Sequence, residues 1–353
     1  MEREEEEFVR RGWLLVGLWL GLGLTVGAQR VSLQLPTKND GLLRGDLKAF
    51  YMPTDLKSRP PESGSWGFVR NRREIGGEEV YTRFHEGLDI RPMARDERGL
   101  PVDTVGAIAN GRVAYVNGDS RASNYGKYVV VEHDFGYGPM FSLYAHLAST
   151  AVKAGTSVRA GTVLGKMGST GRGLNNARAH LHLELGIQYS ERFDDWHLHY
   201  LRAGNRHGNW NGINLNGMNL GELYLQLQKD PKMSLARWIH ALPQHYRVVV
   251  PRKAGSGPLA VAKRYWWAKF GNHNTPSESW EMAFTRSGFL VGIAPSNRKV
   301  NKPTVTYVRA SRVDHRHKTI GRLTGTGSAA SLTSSGERFI ALVTDDFPRG
   351  LTP

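Results

Sequence analysis

The chain has 353 residues, 40% of them hydrophobic, enough for two ordinary domains or for one with a large appendage, and this composition excludes wholesale disorder. It has no cysteine, which rules out disulfides, thiolate metal sites and cysteine nucleophiles and leaves only nitrogen and oxygen donors for any metal. A formal charge of +15 implies a polyanionic partner; nucleic acid, an anionic wall polymer and a membrane surface all satisfy charge alone.

The first apolar run is Trp13 to Val26, preceded by Arg10 and Arg11 and followed by the small-x-small triplet Val26-Gly27-Ala28. It falls short of the roughly 20 apolar residues that cross a bilayer and suits the core of a signal peptide. Residues 1–28 are therefore expected to be a signal peptide, with a mature start at Gln29. An uncleaved membrane anchor is the alternative, because Glu2 and Glu4 to Glu7 make the extreme N-terminus acidic. Residues 1–28 hold five Glu and three Arg, so their removal raises the charge to +17. Export to the periplasm or the medium makes nucleic acid a poor partner and cell-wall polymer a good one.

Residues 29–65 are polar and read as an N-terminal extension. Over 66–190 the pattern is strand-like: short runs such as GRVAYVNG and KYVVVEH end in Gly, Asn or Asp. Here Val152-Lys-Ala-Gly155 recurs as Val158-Arg-Ala-Gly161, which predicts glycine turns between very short strands. Residues 191–240 read as a connection rich in His, Asn, Arg and Gly, followed by a helix over about Leu220 to Leu242. Residues 241–353 read as a smaller β-rich domain, from the runs RVVVP, GFLVGIAP, PTVTYVRAS and RFIALVT. The 41 glycines and 16 prolines agree with a mainly β protein.

Three clusters carry chemistry. In Ala179-His180-Leu181-His182-Leu183-Glu184-Leu185 a strand places His180 and His182 on one face and the leucines on the other. In His85-Glu86-Gly87-Leu88-Asp89 an imidazole and a carboxylate lie four residues apart, with a glycine that lets the backbone bring them together. Tyr144-Ala145-His146-Leu147 adds a further imidazole. Taken singly, each has a bland reading as surface decoration, a strand end or a structural histidine. Together they supply the three nitrogen and oxygen ligands a catalytic zinc needs, from His85, Asp89 and one of the His180/His182 pair, with two histidines left over for proton transfer.

These motifs, in this order, resemble those of the lysostaphin/LytM-type zinc peptidases: His-x-x-x-Asp, then Tyr-x-His-Leu, then His-Leu-His. Gly67-Phe68-Val69-Arg70, Gly111-Arg112-Val113, the run Asn124 to His133 and the turn Gly165 to Gly171 resemble flanking pieces of the same family. The resemblance covers about residues 66–188. It implies an antiparallel β-sheet peptidase domain of the duplicated hybrid motif type. It also implies one zinc held by His85, Asp89 and His182, and acid–base roles for His146 and His180. Hydrolysis of peptide bonds in peptidoglycan is the expected activity; some relatives that have lost ligands act instead as wall-binding activators of other hydrolases. Two departures stand out: the charged stretch after Asp89, RPMARDERGLPVDTVGA, and the lengthened approach Asn175 to Arg178 before His180.

Arg70 and Tyr81 precede His85 and are candidates for the substrate groove. His133 reads as structural. His197, His199 and His207, near Asp194 and Asp195, read as a hydrated loop, with a second metal site as the sharper alternative. Tyr265, Trp266 and Trp267 between basic residues read as core packing with a basic rim, or alternatively as a glycan platform.

Overall fold

The computed structural model describes residues 30–54, 60–253 and 255–350. The expected signal segment, residues 1–28, lies outside them. Among the described residues no helix is long and apolar enough to cross a membrane.

The N-terminal extension is more than a polar arm. Val31, Leu42, Phe50, Tyr51 and Met52 are buried. A single helical turn, α1 (Leu47–Phe50), is capped by Asp46, whose carboxylate accepts from Ala49 N–H. Backbone bonds sew the extension to the main β domain: Gln34 N–H donates to Ile108 O at 2.7 Å, Gly106 N–H to Pro36 O at 2.7 Å and Met52 N–H to Asp89 O at 2.8 Å. Sparse apolar residues with no fixed period gave no sign of this in the sequence.

Next comes a hairpin of β1 (Gly67–Ile75) and β2 (Glu78–His85), closed by Gly76-Gly77. Both glycines have positive φ, 62° and 76°, as a two-residue hairpin turn demands. β3 (Leu88–Ile90) comes directly after, then β4 (Thr104–Gly106), β5 (Gly111–Asn117), β6 (Lys127–Asp134), β7 (Pro139–Leu147), β8 (Ser149–Thr150), β9 (Ser157–Val158), β10 (Val163–Lys166) and β11 (Leu181–Gln188). The repeat behaves as expected: Gly155 and Gly161 turn at φ 86° and 82°, flanking β9.

The main antiparallel sheet runs β12-β11-β7-β6-β5-β9, with β12 (Leu215–Gly217) at one edge and β3 also paired to β11. Leu181, Leu183, Leu185 and Ile187 of β11 are fully buried. Each contributes about 1.5–3 kcal/mol of burial, which fixes the register and so the face carrying the histidines.

The stretch expected as a connection contains more structure than its composition suggested. α2 (Phe193–Leu201) lies within it, and the single expected helix is two, α3 (Leu220–Lys229) and α4 (Leu235–His240). Asp230-Pro231 ends the first, and Ser234 caps the second by accepting from Arg237 N–H.

A second antiparallel sheet has the order β15-β14-β13-β16: β13 (Tyr246–Pro251), then, beyond helix α5 (Ala260–Arg264), β14 (Ser279–Phe284), β15 (Leu290–Ser296) and β16 (Thr304–Val308). The run RFIALVT, expected as a strand, lies in helix α6 (Ser334–Thr344). Phe339, Ile340, Leu342 and Val343 form one buried helical stripe, and Thr333 caps the start by accepting from Gly336 N–H. The period there is helical; β-branched composition alone had argued for a strand. One buried apolar cluster runs from Val31 to Phe347 and joins the two halves.

Candidate metal centre

The centre forms where β3, β11 and the end of β7 meet. In the β3–β11 register Asp89 lies opposite His182, and in the β11–β7 register His182 lies opposite Ala145. His85 closes β2, with two residues between it and the start of β3. Gly87, between them, is required by close approach: a Cβ there would sit 2.4 Å from Leu183 O. The glycine admits β11, which is a different service from the backbone turn expected of it.

Asp89 Oδ1 is the hub. It lies 2.9 Å from His182 Nδ1, 3.1 Å from His85 Nε2 and 3.3 Å from His180 Nε2. His85 Nε2 and His182 Nδ1 are 3.1 Å apart. Among the described residues, His85, Asp89 and His182 form a group whose ligand atoms all fall within 4.8 Å of one another, and all three are buried.

The outer partners fix which nitrogen of each ring faces inward. His85 Nδ1–H donates to Ser65 O at 2.7 Å, so its Nε2 lone pair points at the hub. His180 Nδ1–H donates to Arg178 O at 2.7 Å, and His146 Nδ1–H to Thr170 O at 2.8 Å. Carbonyls only accept, so each of these rings presents Nε2 as a base. His182 Nε2 bonds Glu184 Oε1 at 2.8 Å, leaving Nδ1 for the hub. Three acceptors thus converge, an arrangement that calls for a proton or a metal cation between them. The nitrogen and oxygen donor set, with two imidazoles and one carboxylate, fits zinc.

The electrostatics agree. Burial opposes charge on Asp89, but the neighbouring His85 and His180, and the close contacts of its carboxylate with His180 and His182, hold its carboxyl well below the usual range. Burial pushes His182 down, yet its hydrogen bonds to Asp89 and Glu184 outweigh this and lift it to about 10. Desolvation, then the neighbouring His180 and His182, push His146 well below its ordinary value.

His146 and His180 lie beside this group with ring centroids 4.8 Å apart. His146 has φ 63°, a left-handed conformation uncommon for a non-glycine residue, and its N–H donates to Tyr125 O at 2.9 Å. All five residues singled out from the sequence are therefore brought together.

Arg70, expected along a substrate groove, turns its guanidinium inward: Nη2 is 2.5 Å from Asp89 Oδ2 and Nε donates to Ser63 O at 2.8 Å. Tyr81 lies opposite Arg72 on the hairpin, four residues before His85 along β2. Glu184 and Tyr125 were not singled out. Tyr125 O–H donates to Glu184 Oε1 at 2.8 Å. The strand period could have flagged Glu184, which shares a face with His180 and His182.

The two departures from the family pattern meet each other. Arg95 of the charged stretch donates from Nη1 to Gly99 O at 2.8 Å and to Asn176 O at 2.6 Å. Other candidates lie in packing or backbone contacts. His133 is fully buried, bonded to Asn110 O and Ser142 Oγ, and burial pushes it down to about 4. His207 is buried against Tyr115 and Ala122 O, and His197 bonds Ala203 O. Tyr265 and Trp267 are core residues; Trp266 is half exposed, with its indole N–H on Gly136 O.

Residues 83–194 match the model of Peptidase family M23, a span that contains all five site residues. A curated relative, the outer membrane antigenic lipoprotein B of Histophilus somni, is 31% identical over 118 residues, 33% of this chain and 32% of that protein. The chain thus spans about a third of the length of that relative. Among solved structures, the catalytic domain of the antimicrobial peptidase lysostaphin from Staphylococcus simulans is 27% identical, covering 35% of this chain and 76% of that one at a TM-score of 0.25. A zinc-containing peptidase from Vibrio cholerae is also 27% identical, covering 39% and 36% at a TM-score of 0.25.

Proposed function

With residues 83–194 as a peptidase segment of family M23, we propose that this chain is an exported zinc-dependent endopeptidase that hydrolyses peptide bonds of peptidoglycan, in its cross-links or bridges. The observation that carries the reading is the convergence of His85 Nε2, Asp89 Oδ1 and His182 Nδ1 beside two further imidazoles.

His85, Asp89 and His182 would hold one zinc ion. Bound there, zinc supplies a Lewis acid that polarises a carbonyl and lowers the pKa of water to about 7. The remaining chemistry belongs to the chain. His146 is neutral at pH 7 and offers Nε2, so it accepts a proton from the attacking water. His180, tied through Nδ1–H to Arg178 O, presents the second Nε2 and orients that water. Once protonated, either ring donates to the developing oxyanion or the leaving amine. No side chain needs to form a covalent intermediate.

Peptidoglycan or another anionic wall polymer is the partner this reading implies, in keeping with the +15 charge. Placement in the periplasm or outside the cell is supported by the signal-like N-terminus and by the curated relative's name as an outer-membrane lipoprotein.

The test is digestion of purified peptidoglycan by the chain, with and without a chelator, followed by mass spectrometry of the released fragments. Chelator-sensitive scission of a peptide bond is expected and identifies the bond. A folded, zinc-loaded protein that releases nothing would overturn the enzyme reading in favour of a wall-binding activator of other hydrolases.

A further inference from the structure

Behind the three ligands lie two charged side chains that the hydrolytic scheme does not use. Arg70 reaches Asp89 because β1 is irregular. The β1–β2 register slips between Phe68 and Arg70, and Asn71 adopts φ 56°. Such a bulge re-aims the side chain beside it, and asparagine tolerates the left-handed conformation better than other non-glycine residues. The kink is pinned locally: Asn71 Nδ2 donates to Thr82 Oγ1 at 2.6 Å, and Thr82 O–H donates to Asn71 O at 3.1 Å. The guanidinium then spans two acceptors, Asp89 Oδ2 and Ser63 O. It occupies the carboxylate oxygen that faces away from the hub, so Oδ1 alone is left for a cation.

Glu184 treats His182 in the same way. Its Oε1 takes Nε2 of His182 and the hydroxyl of Tyr125, each at 2.8 Å. The Tyr125 ring also lies against the imidazole, 5.7 Å between centroids. Glu184 is 3% exposed, so water does not compete for this contact. With Nε2 held by Glu184, Nδ1 is the nitrogen of His182 that faces the hub.

We propose that Arg70 and Glu184, the latter held by Tyr125, are positioning residues that fix Asp89 as a one-oxygen ligand and His182 as an Nδ1 ligand. The proposal rests on reading the site as a zinc centre. Partners of this kind orient first ligands in metal sites generally, and losing one costs about 10–100-fold in metal affinity.

The experiment uses the full chain, stripped with a chelator and reloaded with zinc or with cobalt as a spectroscopic stand-in. Zinc affinity is read by competition with a chromophoric chelator, ligand geometry by the visible bands of the cobalt form, and folding by circular dichroism. Glu184→Ala and Arg70→Ala are expected to lose about 10–100-fold in zinc affinity and to shift the cobalt bands. Glu184→Gln still offers an oxygen to Nε2–H and should recover most of the affinity. Arg70→Lys keeps the charge but not the fork and should fall between. Tyr125→Phe should shift the cobalt bands with a smaller loss. If either alanine variant fails to fold, the glutamine, lysine and phenylalanine variants carry the test. Folded variants that bind zinc as the parent does, with unshifted cobalt bands, overturn the proposal alone. A parent chain that binds no zinc overturns it together with the enzyme reading.

Discussion

His182 has two ring nitrogens with different duties, and replacing it removes both. Its Nδ1 faces Asp89 and its Nε2 faces Glu184. His182→Ala should therefore abolish stoichiometric zinc in a metal assay of the purified protein. His146→Ala and His180→Ala should keep zinc and lose hydrolysis by about 10²–10⁴-fold, the usual value of a positioned proton carrier. Metal retained by the His182 variant and lost by the His180 variant would reverse these roles. The proton on His182 gives a second prediction. Its pKa in the metal-free protein is lifted to about 10, so below that pH zinc must displace a proton. Apparent zinc affinity should rise about tenfold per pH unit through neutrality, with about one proton released, as calorimetry in buffers of different ionisation enthalpy reads. The same group contributes stability to the metal-free fold fully below its unfolded value near 6.5, a contribution lost as pH rises through 10. The five site residues were legible in the sequence because period-two alternation and motif spacing report side chains. The carbonyls of Ser65, Thr170 and Arg178, which choose the ring tautomers, are backbone atoms and leave no trace in composition.

At the scale of elements, the N-terminal segment belongs to the site. Ser65 O holds His85, Ser63 O holds Arg70, and Met52 N–H bonds the backbone of Asp89. A chain beginning at Gly67 should express with its main sheet yet bind zinc at least about 10-fold more weakly than one beginning at Arg30, by equilibrium competition. Equal affinities would show that the segment is dispensable. The sequence suggested a polar extension here because its few apolar residues make contact at irregular intervals. The helix around RFIALVT was hidden for a related reason: a short apolar run fits a strand or a buried helix, and its period tells them apart only together with the cap at Thr333.

Across the whole molecule, the expected boundary near residue 241 is heavily bridged. Tyr189 O–H donates to Gly288 O at 2.5 Å and accepts from Leu290 N–H. Tyr265 O–H donates to Pro139 O and accepts from Gln188 N–H, while the Trp267 indole donates to Tyr137 O. The Trp196 indole of α2 donates to Arg338 O of α6. These are buried or partly buried bonds made by side chains of one apolar cluster, each worth about 1 kcal/mol net and more if left unmade. Differential scanning calorimetry should therefore record one cooperative transition. Two resolved transitions would mean that the halves unfold independently. Pairings over such sequence distances are invisible to local pattern, so the sequence reading of residues 241–353 carried no sign of these bonds.

The left-handed backbone of His146 has a consequence for heat tolerance. A β-carbon in that conformation costs about 1–2 kcal/mol, which asparagine and glycine largely avoid. His146→Asn should thus raise the melting temperature by roughly 2 °C while removing the base proposed for hydrolysis. Any search for hardier versions of this protein that screens only for survival of the fold will tend to select inactive ones at this position.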